Sequence, residues 1–245
     1  MGISKENDNG RALEFILIDY FKKNNNKVIL SETAKNYQKR DLIKYKNLPL
    51  DLKKSFSSAA LKFYNWFLSI STNNDRIEID RFADNTGEVY DLSINKVCFS
   101  IKHNHYALKH PRPYSLAQQC GFNKGSKEDI IHRNKLMIIS DNYRDNLNGI
   151  QKYSENKELL FDLYSKINLA CKNSLEEWIN IKPIIAFNLF NFIVGSNFYK
   201  IIVKTNKPKL QIEIQDFLNV PQPKSFLCFF NKNKKNYLSL NFSHG

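Results

Sequence analysis

The sequence predicts a mixed α/β fold: a central mixed sheet that contains an antiparallel hairpin and is flanked by helices. Three observations predict it. Apolar residues recur at helical spacing before residue 71 and again over much of 126–194, the period switches to two across 76–104, and short aromatic runs close the chain. The order helices, sheet, helices, sheet fits an α+β or mixed α/β domain.

Asn7, Asp8, Asn9 and Gly10 offer N-cap chemistry ahead of the apolar run 12–21, so the first helix is expected from residue 9 or 10 to residue 24. A second spans 48–70, with Pro49 near its first turn and a stripe of Phe56, Ala59, Ala60, Phe63 and Phe67. Ile77 and Ile79 then alternate with Glu78 and Asp80, residues 83–87 supply a turn, and two further alternating runs complete a meander. A proline-containing loop over 106–114 leads into the helical stretch. Strands are expected at 198–204, 210–214, 226–230 and 237–242. Trp66, Trp178 and the aromatic cluster over 187–198 lie within apolar runs and read as core. No linker composition, repeat or block of like charge divides the chain, so residues 1–245 are expected to form one domain with 126–194 as a helical subregion.

The 245 residues carry 37 Lys plus Arg against 24 Asp plus Glu, a formal charge of +13 that suits a polyanionic partner. Asn and Lys are both abundant, as AT-rich coding produces, and the lysines of that drift account for part of it. A composition 42% hydrophobic and 13% aromatic excludes whole-chain disorder. The apolar stretch 183–195 is interrupted by Asn188 and Asn191 and falls short of the roughly 20 residues a spanning helix needs, so no membrane span is expected. Glu6, Asp8, Glu14 and Asp19 near the start, with no small-residue cleavage site, exclude a secretory signal and point to a cytoplasmic protein. Cys98, Cys120, Cys171 and Cys228 are scattered without a C-x-x-C pair and read as packing thiols.

The informative segment is 87–102. A two-residue turn at Asn95 and Lys96 pairs Ile94 with Val97 and Leu92 with Phe99, and extended regularly it sets Asp91 opposite Ser100 with Lys102 as diagonal neighbour. One face then carries Tyr90, Leu92, Ile94, Val97, Phe99 and Ile101, and the other Val89, Asp91, Ser93, Cys98, Ser100 and Lys102. A half-exposed hairpin with no catalytic role would alternate in the same way. Glu14 adds a second acid: at about 100° per residue it lies within the apolar arc of the first helix, beside Leu17 and Phe21. A carboxylate buried there must be protonated, paired with a core base or bound to a cation. Asp91, Glu14 and Lys102 together suit an oxygen-lined Mg²⁺ pocket with a nearby amine, as phosphodiester hydrolysis requires.

Asp91 with Ser100-Ile101-Lys102 resembles the signature of PD-(D/E)xK nucleases, and the continuation through His103-Asn104-His105 to His110-Pro111-Arg112-Pro113 resembles the HaeIII-type type II restriction endonucleases. Gly10-Arg-Ala-Leu-Glu14 resembles that family's opening helix, Gly87-Glu-Val-Tyr-Asp91 its acidic strand, and the segment 192–203 a later signature. The resemblance implies a restriction-endonuclease-like core and a Mg²⁺-dependent endonuclease that cuts double-stranded DNA at GGCC. It also implies a cognate cytosine methyltransferase as system partner and leaves room for a homodimer. Asp91, Glu14 and the carbonyl of Ile101 would hold the metal, and Lys102 would orient or deprotonate the attacking water. Ser100 stands where the wider superfamily has Glu or Asp. Glu88 is an alternative ligand ranked below Asp91, because at three positions' distance a regular strand turns it to the opposite face.

His103, Asn104, His105, Lys109, Arg112 and Tyr114, with His110, leave the active strand in a loop suited to reach DNA; Asn and Arg can read purine edges, Lys and His meet phosphates. Basic residues at 132, 133, 135 and 144 suit either phosphate contact or a solvated helix face. Zinc on His103, His105 and His110 is a weaker reading without an H-E-x-x-H or cysteine partner. Relatives of the resembled family continue past 241–245, so the chain reads as C-terminally short. The rivals to an active restriction enzyme are therefore a DNA-binding relative that is impaired in cutting and a nuclease of the same core that serves DNA repair.

Overall fold

The apolar arc expected of the first helix is buried: α1 (Lys5–Asn24) contributes Leu13, Phe15, Ile16, Leu17, Ile18 and Phe21 to the core. It starts at Lys5, earlier than residue 9 or 10. Asp8 is ion-paired with Lys44 of the next helix, so the cap-type residues lie within the first turns and do not mark the start. A computed structural model of the chain describes residues 5–72, 76–82, 89–106, 109–146, 157–206, 209–231 and 237–243. The chain divides into two compact units, Met1–Leu108 with Gly195–Val220, and Lys109–Val194 with Pro221–Gly245.

In the first unit α1 is followed by β1 (Val28–Leu30), α2 (Glu32–Lys46) and α3 (Leu50–Ile70). Periodicity predicted neither β1 nor α2. The strand is three residues long, and the buried positions of α2 are Ala34, Gln38 and Asp41, a helical spacing without an apolar stripe. Its local signals are sound: Ser31 caps it by accepting the N–H of Ala34 at 3.0 Å, and Glu32 lies in the first turn. The α3 stripe is buried as expected, and Phe63 and Phe67 meet Phe21 and Phe99 edge to face. Each such ring contributes about 1.5–3 kcal/mol of burial.

The meander follows: β2 (Ile77–Arg81), β3 (Leu92–Ile94) and β4 (Val97–His103), with β5 (Phe198–Lys204) and β6 (Gln211–Asp216) returning after the second unit. They form one six-stranded mixed sheet ordered β1-β2-β3-β4-β5-β6, in which β1/β2 and β4/β5 are parallel and the other pairs antiparallel. Asn95 and Lys96 form the turn, both with positive φ (48° and 68°), as a two-residue hairpin of this twist requires. Asn95 also ties the turn to β2 by accepting the Glu78 N–H at 2.8 Å.

The expected register holds for Ile94 with Val97, Ser93 with Cys98 and Leu92 with Phe99, then breaks. The N–H of Asp91 donates at 2.8 Å to the carbonyl of Phe99, the residue already facing Leu92. Two residues thus oppose one, a β-bulge, and Asp91 does not sit directly opposite Ser100. On its other edge the ladder continues regularly, with the N–H of Phe82 donating to the Asp91 carbonyl at 3.1 Å. The 83–87 turn and Glu88 lie outside the described residues.

Before β5 the backbone turns at Gly195, φ +77°, where a Cβ would come within 2.9 Å of Val89 and 3.0 Å of Phe198. Only glycine has both the conformation and the space.

The second unit has a 3₁₀ turn (Pro113–Ser115), α4 (Leu116–Gln119), α5 (Lys127–Asn146), α6 (Lys157–Ile181), α7 (Ile184–Ile193) and a separate antiparallel pair, β7 (Ser225–Asn231) with β8 (Tyr237–Ser243). The expected helical subregion falls within it. Trp178, Leu175, Leu189 and Phe226 share its core with Cys120, Cys171 and Cys228, whose thiols burial pushes up to about 12. They are inert packing groups, as expected, although the fold gathers the three that the sequence scatters. No described helix is long and apolar enough to cross a membrane.

His132 does not face phosphate. It is 1% exposed, with Nε2 donating to the Pro113 carbonyl and Nδ1 accepting from the Ser174 hydroxyl, each at 2.9 Å. Burial holds this imidazole below its ordinary value, helped by Lys135 and Arg133 and opposed by the Pro113 bond and by Asp129. The neutral ring is therefore the folded form. Its contribution to stability is complete above the ordinary histidine value of about 6.5 and is lost as pH falls through the lowered folded value. Thermal melts taken from about pH 7.5 down to about pH 5 should show the wild type losing ground relative to His132→Gln; parallel curves would contradict this. Arg133, Lys135 and Arg144 pair with Asp129, Glu177 and Asp141 on the same or the neighbouring helix.

Candidate active site

The bulge aims the Asp91 carboxylate along β4. Its Oδ2 accepts the backbone N–H of Ile101 at 2.6 Å, the Lys102 ammonium at 3.2 Å and the Ser100 hydroxyl at 3.4 Å. A regular strand would have given that amide a carbonyl partner; here it binds a charged acceptor, the stronger kind of bond. The structure thus brings Asp91, Ser100, Ile101 and Lys102 together. Asp91 and Lys102 remain about a quarter exposed, and Ser100 is 1% exposed.

Glu14 stands nearby on α1, its side chain 16% exposed. Burial, and then the charge of Asp91, push it up to about 7, against the lowering by the Arg81 charge and hydrogen bond. A carboxylate whose ionisation is opposed by burial and by a neighbouring acid suits a cation. The fold resolves how Glu14 is kept there: Arg81 of β2 donates to its Oε2.

Sequence patterning passed over Arg81, Asp41 and Lys200. Lys200 pairs with Ser100 across β4 and β5, is 3% exposed and donates from Nζ to the Tyr106 carbonyl at 2.7 Å. Burial and then the Lys102 charge hold it below the ordinary lysine range. Tyr106 is clamped further by its hydroxyl, which donates to Glu213 at 2.7 Å, and by Lys204, which lies over its ring. A lysine inside the otherwise apolar run of β5 was the signal available.

The six residues expected to contact DNA fall into two sets. His103, Asn104 and His105 belong to the first unit and Lys109, Arg112 and Tyr114 to the second. The Asn104 amide accepts from the N–H groups of Thr205 and Asn206 at 2.7 and 3.3 Å, so it anchors the loop after β5. His103 lies 2.8 Å from the Thr205 hydroxyl and edge-on to Phe56, and burial lowers it. Lys109 covers the ring of Phe192, while Arg112 and Tyr114 are exposed. Among the described residues no three His, Cys, Asp or Glu side chains converge as a metal cage, which removes the geometric basis for zinc on the three histidines.

The class of site so defined is a carboxylate and a lysine held on two strands of one hairpin, with a second carboxylate from a buried helix. In sequence the chain is similar to the type II restriction enzyme HaeIII of Haemophilus aegyptius, 26% identical over an alignment of 254 positions, gaps included, that covers 90% of this chain and 76% of that protein. No family model and no solved structure matches it.

Proposed function

We propose that the protein is a Mg²⁺-dependent type II restriction endonuclease with a PD-(D/E)xK core, which hydrolyses phosphodiester bonds of double-stranded DNA at GGCC. The observation that carries the reading is the single Asp91 oxygen that gathers Ile101, Lys102 and Ser100. The likeness to HaeIII over most of the chain supports it. The donor set fits Mg²⁺, which takes one or two protein carboxylates and completes its shell with water and substrate phosphate. Asp91, the Ile101 carbonyl and Glu14 would hold it. When bound it polarises the scissile phosphate and acidifies water. Lys102 would orient the attacking water as an ammonium that also faces the charge building on the phosphate, or deprotonate that water if it stands there as the neutral amine. Ser100 holds Asp91 in place of the superfamily's second acid.

His103, Asn104, His105, Lys109, Arg112 and Tyr114 supply contacts to the duplex, with exposed Arg112 the best suited to a base edge. In this reading the chain acts as one domain in the cytoplasm, as a homodimer on a two-fold symmetric site, in a host protected by a cognate cytosine methyltransferase.

The test is unmethylated plasmid incubated with the purified chain and Mg²⁺, beside EDTA and a GGCC-methylated plasmid. Discrete fragments that disappear in both controls are expected. Intact DNA bound by a folded chain identifies the relative impaired in cutting, and cuts scattered along the plasmid identify a repair-type nuclease.

A further inference from the structure

Arg81 at the end of β2 is 3% exposed, and its guanidinium bridges two acids. One arm donates to Glu14 and the other lies 3.0 Å from Asp41, which is fully buried. Arg40 also grips Asp41 with bonds of 2.7 and 2.9 Å, Gln38 lies 3.5 Å from Arg81, and the ring of Tyr37 stands 5.0 Å from its centre. The buried polar face of α2 therefore holds Arg81, and Arg81 holds Glu14. The next residue, Phe82, holds the backbone of Asp91. Two adjacent residues at the end of β2 thus hold both acids, Arg81 taking Glu14 through its side chain and Phe82 taking Asp91 through the main chain.

A buried ion triad is a costly way to stabilise a fold, since apolar residues of the same volume serve as well. What it supplies here is geometry. A planar guanidinium can address two carboxylates at fixed angles, which an ammonium cannot.

We propose that Arg81 is a positioning residue of the active centre: held by Asp41, it takes one oxygen of Glu14 and sets the other beside Asp91, so that a divalent cation meets a preformed pair of carboxylates. This rests on the reading of Glu14 and Asp91 as cation ligands.

The experiment is calorimetric titration of the full chain with Mn²⁺, without DNA, for wild type, Glu14→Gln, Arg81→Lys and the double variant, with Asp91→Ala alongside. Arg81→Lys should weaken Mn²⁺ binding by about ten- to a hundredfold, as loss of an outer-shell partner does, and Glu14→Gln, which removes a ligand, at least as much. The double variant should be no weaker than Glu14→Gln alone, because Arg81 acts through Glu14. With DNA and Mg²⁺, Arg81→Lys should lower kcat and leave KM unchanged. If Arg81→Lys does not fold, Asp41→Asn replaces it and should give a smaller loss in the same direction. Additive losses, or wild-type Mn²⁺ binding by the Arg81 variant or its replacement, overturn the proposal. A wild type that binds no Mn²⁺ and cuts no DNA overturns the reading of the site, and this role with it.

Discussion

Asp91→Asn and Lys102→Ala should each abolish Mg²⁺-dependent cutting, a loss of about a thousandfold or more, in chains that still fold and bind DNA. The asparagine keeps the shape that accepts the Ile101 N–H and removes only the charge a cation needs. The alanine leaves Asp91 its bonds to Ile101 and Ser100 and removes the group proposed to act on water and phosphate. Neither change should unfold the protein. The two side chains are 27% and 21% exposed, and an ion pair so open to solvent contributes about 0–1 kcal/mol. Plasmid cleavage beside circular dichroism and filter binding checks both halves of the expectation, and full cutting by either variant would remove the assignment.

The largest expected effect on stability is at Arg81. Arg81→Met should cost about 3–5 kcal/mol, because it leaves Glu14 as a largely buried acid without its cation and Asp41 with Arg40 alone. Urea unfolding measures it. Adding Glu14→Gln should recover part of the loss, since the acid left without a partner is then gone. A cost below about 1 kcal/mol would mean that water already screens the triad.

The sequence made the hairpin legible because alternation, turn chemistry and a lysine at fixed spacing all act within a few residues of one another. Asn95-Lys96 demanded the turn, and the register followed as far as Leu92. The bulge at Asp91 was not legible, since it depends on which donor, Ser100 or Ile101, the folded carboxylate finds. Glu14 was found as an acid in an apolar arc, but its partner could not be, because Arg81 reads in sequence as the ordinary end of a strand. For the same reason α2 was passed over: Gln38 and Asp41 are buried by what they bind, and a search for apolar periodicity is blind to them. His132 shows the opposite error, a basic residue in a charged helix that serves as a neutral strut.

The parallel pairing of β4 with β5 also bears on how the molecule is made. Ser100 is joined in the sheet to Lys200, and the whole segment Lys109–Val194 is synthesised between them. A contact so distant along the chain forms late and slowly. Until β5 leaves the ribosome, β4 presents an unpaired edge with Lys102 on it, and the buried lysine beside Ser100 is missing. The hairpin with the proposed chemistry is therefore finished only after β5 has been made, some hundred residues behind β4, when the strand that must pair with it exists.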